Sequence, residues 1–115
     1  MKRNFDLIRE IMLEIEKNDL LTDSKIFEGD GYSIDEITYN CKLMYEDGLI
    51  DDYELQQVSG SESYCQVGQL TGKGNDYVEL IGNEKIWQGI QNYKKRGGPL
   101  SWNRIEKLVE SFMGL

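Results

Sequence analysis

The chain has 115 residues and a formal net charge of −8, from 13 Lys/Arg against 21 Asp/Glu, with no histidine and two cysteines. The length fits one domain with a single core, and the missing histidine removes the commonest general acid/base, the commonest transition-metal ligand and the usual partner of a serine or cysteine nucleophile. The charge is uneven: residues 1–57 carry 6 Lys/Arg and 15 Asp/Glu, net −9, and residues 58–115 carry 7 and 6, net +1, so the first half repels a phosphate backbone at long range.

Residues 4–18 place Phe5, Ile8, Ile11, Met12 and Ile15 at helical spacing, with Glu10, Glu14 and Lys17 between them. This predicts a first helix. Its charges interrupt the apolar stretch that a signal peptide needs, and no run in the chain nears the roughly 20 apolar residues of a membrane span. The expectation is a cytoplasmic protein with no membrane partner. Residues 19–32, DLLTDSKIFEGDGY, are punctuated by glycine and aspartate, and Lys25-Ile26-Phe27-Glu28 suits a short strand. Glu28, Asp30 and Gly31 echo a calcium loop, but that alignment puts Ile26 and Ile37 at the end positions where carboxylates are required, so it fails.

Ser33 followed by Glu36 is a capping box. Ile34, Ile37, Cys41 and Met44 recur at helical spacing and Gly48 stops the pattern, which predicts a second helix over residues 34–47. The chain bends at Asp51-Asp52. Tyr53 and Leu55, then Cys65 and Val67, alternate on either side of the polar loop SGSES, predicting a β-hairpin. Cys41 and Cys65 lack CxxC spacing and read as small buried thiols.

The stretch GQLTGKGNDYVELIG superficially resembles a phosphate-binding loop. That loop needs four residues between its first glycine and the Gly-Lys pair, then Ser or Thr. Here only three residues lie between Gly68 and Gly72, and Lys73 precedes Gly74, so the magnesium ligand is missing. The alternative is a strand running into a helix over residues 72–81 capped by Thr71, with Gly72 and Gly74 in a first turn where missing side chains cost little. Tyr77 with Leu80 or Ile81 then faces the core. Asn83 caps a helix in which Ile86, Trp87, Ile90 and Tyr93 share a face, and Lys94-Lys95-Arg96 lies in its last turn before Gly97-Gly98-Pro99. Ser101 caps a last helix with Ile105, Leu108, Val109 and Phe112 inward.

The order helix, short strand, capped helix ending Met44-x-x-x-Gly48-Leu49-Ile50, hairpin, then Leu70-Thr71-x-x-Gly74 into a helix is similar to a winged helix-turn-helix. With the start MKRNFDLIREIMLEIE, GYSIDEITYNCKLMYEDGLI, LTGKG and IWQGI, the first 90 or so residues resemble the YjcQ-like winged-helix proteins and a related phage-encoded domain of unknown function. That resemblance implies an α+β winged helix-turn-helix-like domain, with residues 34–47 as recognition helix and the hairpin as wing, in a bacterial or prophage setting and without a settled activity. Residues 1–82 are expected to form the winged-helix-like core. Residues 83–115 add C-terminal helices to the same domain, and they either complete the core or pair two chains in a homodimer.

The outward face of residues 34–47 displays Asp35, Thr38, Tyr39, Lys42 and Glu46, with Tyr45 beside it, and its charge is −1. Duplex recognition favours several Lys/Arg with Asn or Gln, so this face suits a protein partner better than DNA. Tyrosine supplies contact area with few rotatable bonds. If nucleic acid is bound, the contacts fall to Lys94, Lys95, Arg96, Arg104 and Lys107, with Lys2 and Arg3 at the start. The sequence thus points to a non-catalytic regulatory or adaptor protein with no cofactor, metal or catalytic residues and an unidentified protein partner. A DNA-binding winged-helix regulator is the alternative.

Overall fold

The apolar spacings become helices α1 (Phe5–Lys17), α2 (Ile34–Glu46), α3 (Gly72–Ile81), α4 (Glu84–Lys95) and α5 (Trp102–Phe112). Strands β1 (Thr22–Asp23), β2 (Tyr53–Gln56) and β3 (Tyr64–Val67) intervene in the computed structural model, which describes residues 2–17, 22–23, 31–56 and 64–114. The strand expected over residues 25–28 and the loop SGSES lie outside the described residues. The chain divides into two compact units, residues 1–75 and 76–115, with the division inside α3.

In the first unit the sheet order is β1-β3-β2, antiparallel throughout, with Thr22 and Tyr53 both opposite Val67. The fold is mixed α+β, with the β2–β3 hairpin following α2, and is consistent with a winged-helix-like arrangement. α1 packs on α2, and α2 on β2 and β3. Phe5, Ile8, Ile11, Met12 and Ile15 are buried as their spacing predicts, and Leu7 is buried with them. Ile37, Cys41 and Met44 point inward from α2, and Leu49, Ile50, Cys65 and Val67 are also buried.

The start of α2 departs from the expected reciprocal box. Ser33 Oγ accepts from the Glu36 N–H at 3.1 Å, but the Glu36 carboxylate accepts from Asn4 Nδ2 at 3.3 Å. Asn4 also caps α1 by accepting from the Leu7 N–H, while its own N–H donates to Asn40 Oδ1 at 2.8 Å. Asn40, fully buried, returns its Nδ2 to the Glu36 carbonyl at 2.9 Å. The ends of two helices are thus joined by polar side chains that satisfy one another.

At the other end of α2, Gly48 has φ +76°, the left-handed conformation that ends a helix cheaply only at glycine. The LTGKG stretch then fastens onto that end. Thr71 N–H donates to the Leu49 carbonyl at 3.0 Å, Thr71 Oγ1 donates to the Gly48 carbonyl and accepts from the Gly74 N–H, and Lys73 Nζ reaches the Asp47 carbonyl at 3.0 Å. Gly74 corrects one expectation: a Cβ there would collide with the Leu49 carbonyl oxygen, so the missing side chain permits this close approach. Gly72 has open space, as expected.

In the second unit α4 packs on α5. Asn83 and Ser101 cap them as predicted, accepting from the Ile86 and Arg104 N–H groups at 3.1 Å each. The Tyr77 ring stacks on Trp102 with centroids 4.4 Å apart, and its hydroxyl donates to Glu106 Oε1 at 2.6 Å. Ile90, Ile105 and Val109 are buried, but Phe112, expected inward, is 45% exposed. Its ring covers Gly89 at the end of α5, so only one side is shielded.

Candidate functional site: a groove between α2 and the edge strand

Because Ile37, Cys41 and Met44 turn α2's apolar stripe inward, the residues between them face the other way. Beside that face runs β2. Tyr53 stands opposite Val67 and Leu55 opposite Cys65, so these four side chains share one face of the sheet. On the central strand β3 that face is fully covered, whereas on β2, at the edge, Tyr53 is half-buried and Leu55 is 46% exposed.

The two elements enclose an open groove of about 510 Å³. Asp35, Thr38, Tyr39, Lys42 and Glu46, expected from the helix wheel, all line it. Leu43, Tyr53 and Leu55 complete it and were not among the expected residues. Tyr45 is not in the lining; it is exposed, and its ring stacks on Tyr53 with centroids 6.4 Å apart, bracing that wall.

The Thr38 hydroxyl donates to the Ile34 carbonyl at 2.9 Å, so its hydrogen is committed to its own helix. The rim is acidic: the exposed Asp35 and Glu46 carboxylates outnumber Lys42, whose ammonium lies 4.0 Å from Glu46. An exposed pair of this kind contributes little stability. It does leave one carboxylate in excess.

Behind the groove the thiols of Cys41 and Cys65 are buried and not joined in a disulfide. A hydrogen bond with the Cys65 thiol raises the Cys41 pKa well above its usual range, burial adds to the rise, and the charge that Cys65 would carry adds again. Burial also raises the Tyr53 phenol, followed by the charges of Cys65 and Cys41. Both groups are therefore neutral at physiological pH, where only a thiolate would be an effective nucleophile. Among the described residues no three His, Cys, Asp or Glu side chains gather as a metal site, and no helix is long and apolar enough to cross a membrane.

The basic candidates lie elsewhere. Lys94 and Lys95 end α4, Arg96 is its C-cap, and Arg104 and Lys107 project from α5, all exposed and all in the second unit. Arg3, in the first unit, forms an ion pair with Asp47 at 2.9 Å.

Comparison with known proteins places these elements in a family. The profile described as "Hypothetical protein (DUF2513)" matches residues 2–99, which include α1 to α4 and every groove residue. An "Uncharacterized protein" of Haemophilus influenzae is 26% identical over 115 residues, covering 98% of this chain and 96% of that protein. No solved structure matches the chain significantly. The chain belongs to the DUF2513 family.

Proposed function

We propose that this protein is a small non-catalytic regulatory or adaptor module of a bacterium or its prophage, within the wider YjcQ-like winged-helix group, working in the cytoplasm through protein contacts. The observation that carries the reading is the groove: an aromatic and aliphatic lining from two elements, Tyr39 and Leu43 facing Tyr53 and Leu55, beneath an acidic rim. Such a surface excludes water around an apolar anchor while its carboxylates select cations. A duplex presents the opposite chemistry, because its phosphates would meet Asp35 and Glu46 with Lys42 as the single cation among the described lining residues. With no histidine in the chain and the Cys41 thiol held neutral, the groove is read as a binding surface.

The test is capture of a partner from lysate, with and without nuclease treatment, by the full chain and its variants. Asp35→Lys with Glu46→Lys, or Thr38→Arg alone, is expected to abolish capture of a protein that Lys95→Glu with Lys107→Glu still retains. Recovery of nucleic acid alone would refute the reading.

The second reading, a DNA-binding regulator, draws on the grouping of Lys94, Lys95, Arg96, Arg104 and Lys107 on two helices that pack together. It requires tight duplex binding that weakens steeply with salt and is lost in the Lys95→Glu/Lys107→Glu variant.

A further inference from the structure

The groove wall made by β2 has a property that a helix face lacks. β3 pairs with β2 on one side, and among the described residues no strand pairs with it on the other. On that edge the Tyr53 N–H is held by Asp52 Oδ1 at 2.9 Å, which leaves the Tyr53 and Leu55 carbonyls and the Leu55 N–H for a further strand to bond. Natural edges are commonly blunted by lysine, proline or a bulge, and Tyr-Glu-Leu-Gln has none of these, while it exposes Leu55 beside the open backbone. An added strand would lie about 4.8 Å from β2, and its alternate side chains would recur every 6.6–6.8 Å or so on the face shared by Tyr53 and Leu55. That face is the groove, and its opposite wall is Thr38 and Tyr39 of α2.

Resting on the reading of this groove as a protein-docking site, we infer that it takes an extended segment of a partner by strand addition to β2, the segment alternating apolar residues with Lys or Arg. The apolar residues enter between Leu55 and Tyr39. The cations point to the opposite face of the added strand, towards the exposed Asp52 just before β2 and Glu54 within it, while Asp35 and Glu46 across the groove add to the surrounding negative charge. The same charges argue against a second copy of this chain as the occupant. Edge-to-edge pairing of two β2 strands would bring Glu54 of each close to the other's carboxylates, and like charges facing across a ladder are destabilising.

The experiment uses isotopically labelled full-length protein and a short end-blocked peptide alternating valine and lysine. Two further peptides carry N-methyl groups on alternate amides, in opposite phases, and a fourth has glutamate for lysine. The valine-lysine peptide should shift Thr38, Tyr39, Leu43 and Leu55 resonances and slow exchange of the Leu55 amide, the outward-facing β2 N–H that Asp52 does not already hold. One N-methyl phase should lose affinity about tenfold or more, because it cannot donate to the strand edge, and the other should not. The glutamate peptide should not bind.

Groove shifts with unchanged β2 exchange and equal affinity for both N-methyl phases would overturn strand addition while leaving the docking surface standing. No groove shift with any lysine peptide would overturn strand addition by a basic segment. Survival of lysate capture sensitive to Asp35 and Glu46 would then separate that failure from failure of the docking surface itself. Self-association of the chain through β2, read as slowed β2 exchange with rising protein concentration, would also overturn it.

Discussion

Gly72 and Gly74 occupy the same turn of α3 and look interchangeable in the sequence, yet a methyl group meets nothing within 4 Å at the first and the Leu49 carbonyl at the second. Gly72→Ala should therefore stabilise the protein by up to about 1 kcal/mol through helix propensity, and Gly74→Ala should destabilise it by roughly 1–3 kcal/mol through overpacking. Urea denaturation of the two variants reads the opposite signs directly. No local pattern could distinguish them, because the colliding atom belongs to a residue 25 positions earlier in the chain. The thiol behind the groove gives a second residue-scale expectation. Folding raises the Cys41 pKa, so the folded chain holds that proton more tightly than the unfolded chain does. Its contribution to stability is complete below the ordinary thiol range and is lost as pH rises through the raised value. Tyr53 is shifted the same way. Denaturant midpoints between about pH 7 and pH 10 should fall on the alkaline side, and Cys41→Ala should flatten that fall.

The helices were legible because their signals are local. Ser33, Thr71, Asn83 and Ser101 each accept a hydrogen bond from the N–H three residues on, and the same spacing can be seen in the sequence. The tie between α1 and α2 was not legible, since Asn40 sits within a helical pattern as an ordinary polar residue and only the arrival of the Asn4 N–H gives it a task. Asn40→Ala should leave that amide unpaired and cost about 1–3 kcal/mol, accompanied by faster hydrogen exchange at Asn4. The groove divides in the same way. Its α2 wall follows from turning Ile37, Cys41 and Met44 inward. Leu55 joins it because β2 is the edge of the sheet rather than the centre, which the alternation of the hairpin does not encode. Being 46% exposed, Leu55 should tolerate replacement by lysine within about 0.5 kcal/mol of stability while losing partner capture. Thermal unfolding and capture by the Leu55→Lys variant would separate the two effects.

For the whole molecule, the charge asymmetry seen in the sequence has a structural counterpart. The unit of residues 1–75 holds the acid-rimmed groove, and the unit of residues 76–115 holds Lys94, Lys95, Arg96, Arg104 and Lys107. A winged-helix-like order alone would suggest DNA at α2, but fold does not fix function, and the side chains displayed there are ones a duplex repels. The two surfaces can be interrogated separately in living cells. A photoreactive amino acid placed at Thr38 or Leu43 samples the groove, and one placed at Arg104 samples the basic group. The docking reading predicts a discrete protein adduct from the groove positions that disappears with Asp35→Lys and Glu46→Lys, and no DNA adduct from Arg104. A DNA adduct from Arg104, with no protein adduct from Thr38 or Leu43, would contradict it.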